Sequence, residues 1–360
     1  MEPRDVLASL DRAGHRPRLA GYSALDRYFK VKGTPTHLWI QSTAELVDLA
    51  RLFEGLEYPG LEGVEAALTL EDTRIYFVTP HTPPPHPLLA LTHDPSRDAF
   101  QAPDALYPLL RSPALALPTP FTLSHALTCA VLLSRYPYTP PPTLPTLIPS
   151  PHPPTETQAA TLSLILTGRT PWHGLALLSR TEALPRLWPP LARLRDVHHV
   201  KDYHPEGSVW EHTLEALKHR KRPDLLLSLA ILLHDIGKPD AVPHGTNRFH
   251  LHANIGARIA RTFLRDLDFP SSLQDDVAFL VRYHMLPGAL PRIPPRSIAE
   301  ILSSPLFPML LELYRCDLSS TFRGPQPYYQ ACRAYRSFLK ARRNPFRDPR
   351  LRRLIKLYVE

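Results

Sequence analysis

Residues 225–233 are apolar except for Ser228, and they lead straight into His234-Asp235-Ile236-Gly237-Lys238-Pro239. A run with no polar stripe predicts a helix buried on all sides. Such a helix requires a core around it, and here its end carries an imidazole and a carboxylate side by side. That pair can hold one divalent metal ion, and the carboxylate can bridge to a second. Lys238 follows within a turn and brings a positive charge where a phosphate can dock.

The rest of the chain is read around that point. From residue 209 onward the spacing predicts helices over 209–220, 224–234, 253–267, 272–283, 297–302, 307–318 and 328–342, with no strand between them. Before residue 118 the pattern is mixed. A helix is expected over 44–53, with Leu46, Val47, Leu49, Ala50 and Phe53 on one face. Strands are expected over 37–41, 66–70 and 74–78, the last two turning at Glu71-Asp72. Further helices are expected over 121–136 and 155–167, and a broken pair over 174–194.

Proline explains the breaks. There are 43 prolines among 360 residues, against a usual share of about 5%. They cluster in 80–87 and 137–154, where they predict extended connectors, because proline neither donates to a ladder nor continues a helix. Glycine, at 14 residues, is too scarce for a low-complexity chain.

No apolar run reaches the roughly 18–20 residues that span a bilayer. The first fourteen residues have no apolar signal core. A cytoplasmic protein without membrane association is therefore expected. Cys129, Cys316 and Cys332 form neither a disulfide framework nor a zinc-type pair; buried free thiols are expected. The net charge of +8 and pI near 9.4 suit an anionic partner. Part of that excess is local, in the Lys- and Arg-rich stretch 333–353.

Five places after residue 200 carry candidate metal ligands: His212, the pair His234-Asp235, His252, His284 and Asp317. Imidazole mixed with carboxylate suits borderline divalent ions such as Mn, Fe, Ni, Co or Zn, while an all-oxygen site would favour Mg or Ca. One or two ions are expected, with Mg kept among the candidates. Two ions about 3.5–4 Å apart could bind a phosphate ester and generate hydroxide near neutral pH. Asp235 would bridge them, and Lys238 would bind substrate and neutralise charge in the transition state. Asp235 and Lys238 are thus the expected catalytic residues. Glu206 and Glu211 are candidates to support the ligands, Glu206 equally a helix cap. A lone histidine is more often a satisfied structural residue than a ligand. His198, His199, His204, His219, His244 and His250 are read as surface or supporting residues on that ground.

His212, His234-Asp235 and the distant Asp317 resemble the signature of the HD superfamily of metal-dependent phosphohydrolases. His252 and His284 resemble the extra histidines of its two-metal members. The stretch His204-Pro205-Glu206-Gly207-Ser208-Val209-Trp210-Glu211-His212-Thr213-Leu214 is similar to the start of the HD domain in bacterial CCA-adding tRNA nucleotidyltransferases, as are 233–239 and 250–285. The resemblance covers roughly residues 170–320. It implies that the N-terminal part is a degenerate nucleotidyltransferase head. The family's nucleotide-cradling Gly-Gly-x-x-Arg-Asp corresponds to Gly21-Tyr22-Ser23-Ala24-Leu25-Asp26. Its two magnesium-binding aspartates correspond to His37 and Trp39, neither of which replaces a hard carboxylate. Residues 89–115 resemble the stretch linking head to neck.

The expected fold class is α+β: a degenerate nucleotidyltransferase-like α/β head at 1–118, a helical, proline-interrupted neck at 119–195, and an all-α HD domain at 196–360 with basic C-terminal helices. The expected function is metal-dependent phosphohydrolysis of nucleotides, 2′,3′-cyclic nucleotides or RNA ends, as monoesterase or diesterase. The competing reading is a non-catalytic module binding tRNA or other RNA. CCA addition itself is not expected, because its metal carboxylates are missing.

Overall fold

The computed structural model describes residues 3–340 except 34, 80, 81, 199–206, 242, 245–247, 250, 322 and 323. The chain forms two compact units, Met1–Leu164 and Ile165–Glu360; their boundary falls within the segment expected to be the neck. The class is α+β.

The first unit is built on a six-stranded sheet of β1 (Arg18–Ala20), β2 (His37–Gln41), β3 (Val64–Leu70), β4 (Thr73–Val78), β5 (Thr92–Asp94) and β6 (Ala99–Gln101). Its strand order is β3-β4-β2-β1-β5-β6. Only β2 and β4 pair in parallel, placing Trp39 opposite Tyr76 and His37 opposite Arg74. The other pairings are antiparallel. The hairpin β3–β4 turns at Glu71, whose φ of 51° lies in the left-handed region. Helices α1 (Pro3–Arg12), α2 (Gly21–Tyr28), α3 (Leu46–Leu52), α4 (Leu106–Arg111), α5 (Leu123–Arg135) and α6 (Thr155–Leu166) complete this region.

Strand alternation divides the sheet's residues between two faces. Ile40, Ala66, Leu68, Ile75 and Phe77 form one core with Val6 and Leu10 of α1 and Leu49 of α3. Trp39, Gln41, Tyr76 and Val78 line a cavity elsewhere in the unit. The expected apolar face of α3 is only partly buried: Leu49 is 1% exposed, but Leu46 and Val47 are 42% and 58% exposed. A capping box at Glu45 and Asp48, rather than burial of those two residues, fixes the helix start. The connector expected to be extended over 80–87 ends at Pro87, which opens a short 3-10 helix over Pro87–Ala90. Residues 92–94 and 99–101, within the mixed N-terminal region, form two further short strands of the sheet.

Arg135 at the end of α5 binds both carboxylate oxygens of Asp26 on α2 at 2.7 Å. The Tyr136 hydroxyl adds a third bond to Asp26 at 2.9 Å. The two charged side chains are 8% and 19% exposed. Removing one partner of such a pair strands the other's charge, at about 3–5 kcal/mol when fully buried. Arg135→Met is therefore expected to lower stability by about 2–4 kcal/mol, and Arg135→Met with Asp26→Asn to recover part of the loss. Urea unfolding followed by circular dichroism checks both; equal midpoints for Arg135→Met and the native chain would refute the coupling.

The second unit is helical: α7 (Pro171–Arg180), α8 (Ala183–Leu187), α9 (Pro189–Ala192), α10 (Val209–Lys218), α11 (Leu225–Leu233), α12 (His252–Asp266), α13 (Ser271–Tyr283), α14 (Leu286–Ala289), α15 (Ala299–Leu302), α16 (Phe307–Ser319) and α17 (Gln326–Lys340). One expectation fails here. A two-stranded antiparallel sheet, β7 (Pro243–His244) and β8 (Arg248–Phe249), interrupts the helices. Its strands are two residues long, too short for alternation to show in a sequence. α11 is buried from Leu227 to Leu233. Asp224 caps its start by accepting from the Leu227 amide at 2.8 Å. It packs against α10, α13 and α16, the elements that bear or precede His212, Asp317 and His284. The three cysteines are free and buried. Among the described residues no helix is long and apolar enough to cross a membrane.

Candidate metal centre

All six candidate ligands come together in the second unit, in two groups: His212, His234 and Asp317, and Asp235, His252 and His284. Within each group the ligating atoms lie within 4.8 Å of one another. His212 comes from α10, whose start is fixed by a capping box between Ser208 and Glu211. His234 and Asp235 follow α11, His252 opens α12, His284 follows α13, and Asp317 lies in the last turn of α16.

Hydrogen bonds fix the tautomer of every imidazole. Nδ1 of His234 bonds the Ile231 carbonyl at 2.7 Å, Nδ1 of His284 the Val281 carbonyl at 2.7 Å, and Nδ1 of His252 the Phe249 carbonyl at 2.8 Å. A carbonyl only accepts, so each Nδ1 carries the proton and each Nε2 keeps a lone pair. For His212 the partner of Nδ1 is the Ser320 hydroxyl at 3.0 Å. That hydroxyl donates its own proton to the Asp317 carbonyl at 2.6 Å, so it accepts from His212.

The four bare Nε2 atoms then converge on acceptors. Nε2 of His212 is 3.0 Å from Oδ1 of Asp317, and Nε2 of His234 is 3.1 Å from Oδ2 of Asp235. Nε2 of His252 and His284 face each other at 3.2 Å. Nε2 of His234 is buried without a hydrogen-bond partner. Asp235 turns one oxygen to each group: Oδ2 toward His234 and His212, Oδ1 toward His252 at 3.4 Å and His284 at 3.8 Å.

Lone pairs at such distances repel unless a proton or a cation lies between them. Protons are disfavoured at the second group. Burial and the nearby His234 push His284 down to about 4, and burial lowers His252 as well. For Asp235, burial by itself would raise the carboxyl, but His234 and Lys238 outweigh it and hold it well below the usual range. Asp317 is likewise lowered: burial works against it, and the neighbouring His212 and His234 prevail. At the second group His252 and His284 are thus neutral donors beside an ionised Asp235, the form that binds divalent metal.

Lys238 places Nζ 2.5 Å from Oδ2 of Asp235 and 5.7 Å from the Phe249 ring centroid. It is paired to the carboxylate in this structure, and its side chain is 11% exposed. Glu211 does not support the metal ligands. Its carboxylate accepts from the Ser208 amide at 3.0 Å and closes the helix cap. Glu206, His199, His204 and His250 lie outside the described residues. His219 is paired with Glu215 at 3.6 Å.

Three contributors escaped the sequence reading. Ser320 sets the His212 tautomer; its place three residues after Asp317, just past the end of α16, was the available signal. Gly237 and Gly256 set how closely the segment after α11 approaches α12. A Cβ on Gly237 would lie 2.2 Å from the His252 carbonyl oxygen and 2.4 Å from the Gly256 nitrogen. Gly237→Ala must therefore displace α12 and separate His252 from Asp235. It is expected to cut metal content at least severalfold, read by elemental analysis of purified protein. Gly324→Ala, whose Cβ meets nothing within 4 Å, should leave it unchanged. Ser320→Ala removes the acceptor for His212 and should weaken metal affinity about 10-fold, as loss of such supporting bonds commonly does; competition with a fluorescent chelator measures it.

Residues 204–305 match the HD domain family model. Over 130 residues the chain is 40% identical to the CC-adding tRNA nucleotidyltransferase of Thermus thermophilus, covering 34% of this chain and 29% of that protein. Over 126 residues it is 34% identical to the Multifunctional CCA protein of Alkalilimnicola ehrlichii, covering 34% and 30%. The chain thus spans about a third of the length of the curated relatives it matches. Among solved structures, the Bacillus stearothermophilus CCA-adding enzyme in complex with CTP overlays with a TM-score of 0.43 at 14% identity, over 99% of this chain and 83% of that one. A tRNA-processing enzyme in its apo form overlays at 0.45 and 12%, over 99% and 95%. Overlays this loose fix no correspondence between individual residues.

Proposed function

We propose that the second unit is a metal-dependent phosphohydrolase for nucleotide-type phosphate esters, with 2′,3′-cyclic nucleotides, nucleotides or RNA ends as substrates. The observation that carries this reading is the convergence of four histidines and two aspartates in one place, with Nδ1–H bonds to backbone carbonyls leaving the Nε2 atoms of His234, His252 and His284 free to bind. The match of residues 204–305 to the HD domain supports it. In this reading the functional division is a head at 1–118, a neck at 119–195 and a hydrolase domain at 196–360.

The residues fit a pair of divalent ions. His212, His234 and Asp317 would hold one, His252 and His284 the other, with one oxygen of Asp235 turned to each. Bound there, such ions supply Lewis acidity toward a phosphoryl oxygen and lower the pKa of water. Borderline metals such as Mn, Fe, Ni, Co or Zn suit the nitrogen-rich set better than Mg. Lys238 is the nearest side-chain cation to Asp235 among the described residues. It balances the anionic carboxylate at rest and is the proposed partner for a non-bridging phosphate oxygen as charge develops. The Phe249 ring beside it gives the ammonium a second, weaker contact.

Hydrolysis of 2′,3′-cyclic AMP by chelator-treated protein, restored with Mn, Ni, Co or Mg, is the direct test. Turnover that requires metal and falls at least 100-fold in His234→Ala with Asp235→Ala is expected. Turnover that survives the double substitution would refute the assignment.

The net charge of +8 favours a second reading, in which the chain binds tRNA or another RNA without acting on it. Salt-sensitive RNA binding that persists in the double variant, without turnover on any phosphate ester, would mark that case.

A further inference from the structure

The second unit holds a groove of about 950 Å³ between α12, α13 and the segment 297–304, and none of the six candidate metal ligands lines it. Its volume falls in the range that takes a small molecule, about 300–1,000 Å³. From α12 come Ala257, Arg258 and Arg261, and from α13 Ala278, Phe279 and Arg282, each set at the three- and four-residue spacing of one helix face. Arg261 reaches Asp275 at 2.7 Å and ties the two helices together across the groove.

Of these three guanidiniums only Arg261 is committed, and weakly. Both members of its pair are more than half exposed, and such a pair is worth about 0–1 kcal/mol. Arg282 has only the ring of Tyr283, 5.5 Å from its guanidinium carbon. Arg258 acts on Asp240 at longer range, and that carboxylate is already held by Arg193 at 2.6 and 3.0 Å. Among the described residues neither Arg258 nor Arg282 has a hydrogen bond or an ion pair. Two uncommitted guanidiniums on one concave wall are the donor array that a phosphate accepts. Beside them the lining is apolar, with Ile298 and Ile301 facing the two alanines and the Phe279 ring, which meets Tyr283 at 4.9 Å and 61°. Such a wall covers a flat, poorly solvated body. Glu300 adds a carboxylate without an ion pair. It repels a bare anion but accepts from a sugar hydroxyl. A phosphate, a flat apolar body and neutral hydroxyl donors are the parts of a ribonucleotide.

We propose that this groove binds one free ribonucleoside 5′-monophosphate without metal: the phosphate on Arg258 and Arg282, the base against Phe279 and the isoleucines, the ribose hydroxyls on Glu300. The site goes beyond the hydrolase reading. It shares no residue with the metal centre, so it stands even if no phosphate ester is hydrolysed. It lies on the helices that open with His252 and lead to His284, which makes it a second nucleotide site of the same unit.

The full-length chain, treated with chelator, would be titrated by calorimetry with AMP, 2′-deoxy-AMP, adenosine, inorganic phosphate and a pentaadenylate. Saturable binding of AMP is expected, tighter than that of adenosine or of phosphate alone. Arg258 and Arg282 are both exposed, so Arg258→Gln with Arg282→Gln should fold as the native chain does, checked by circular dichroism. That variant should bind AMP at least about 10-fold more weakly, the scale of losing hydrogen bonds to a charged group. Glu300→Ala should narrow the preference for AMP over 2′-deoxy-AMP. His234→Ala should bind AMP like the native chain, even where it is inactive as a hydrolase. Native affinity in the double arginine variant would overturn the proposal, as would AMP binding that requires metal or is lost in His234→Ala, since either places the nucleotide at the metal centre. Phosphate or adenosine binding as tightly as AMP would overturn it as well. A pentaadenylate that binds more than 10-fold tighter than AMP would assign the groove to an RNA strand and refute the free nucleotide.

Discussion

The donation of one imidazole proton to a fixed acceptor governs the second unit. Three of the four histidines give Nδ1–H to a carbonyl three residues back. His234 and His284 do this at the ends of α11 and α13, where the last-turn carbonyls have no partner further along the helix. One hydrogen bond therefore does two things. It satisfies an orphan carbonyl at a buried helix end, and it turns the opposite lone pair inward. The orientation of the ligand atoms is a consequence of where the helices stop.

That arrangement has an energetic cost which the rest of the unit must offset. Two ionised carboxylates and four lone pairs share a space from which water is largely excluded. Burying an ion without compensation costs several kcal/mol. Lys238 compensates part of it through Asp235; a cation between the nitrogen and oxygen donors would offset more. The apolar run of α11 is what makes this burial complete. Packed on by α10, α13 and α16, it gives the ligand-bearing helix ends a rigid backing. The glycine contact between Gly237 and Gly256 then sets how near α12 can bring His252 to Asp235. Side-chain chemistry selects the ion, and two missing Cβ atoms set the spacing.

Much of this was legible in the sequence because ligands at the ends of apolar helices leave two coincident signals, a hydrophobic run and a polar stop. The candidate pair His234-Asp235 follows from those signals; His212, His252, His284 and Asp317 were drawn instead from their pattern along the chain and its resemblance to the HD signature. Ser320 left no such trace, since a serine after a helix is ordinarily read as a cap or a solvated residue. Glu211 shows the opposite error. Its neighbour His212 suggested a supporting role at the metals, but its carboxylate closes the box with Ser208. In the first unit, β2 and the β3–β4 hairpin were readable from alternation. β1, β5 and β6 are three residues each, too short to carry a period. They exist because neighbouring strands complete their hydrogen bonds, which is tertiary information.

The two units also show what carboxylates decide. In the second, Asp235 and Asp317 sit among bare imidazole nitrogens, and the site can organise cations. In the first, the strand that faces the cavity presents Trp39 and Gln41, and the residue paired with Trp39 across the sheet is Tyr76. A face of flat rings and hydroxyls cannot hold a hard cation in place, because magnesium needs several oxygen ligands, carboxylates foremost, in near-octahedral array. Without that cation nothing neutralises a polyphosphate or activates a hydroxyl for attack on it. Among the described residues, the donor groups that could organise a cation lie in the second unit.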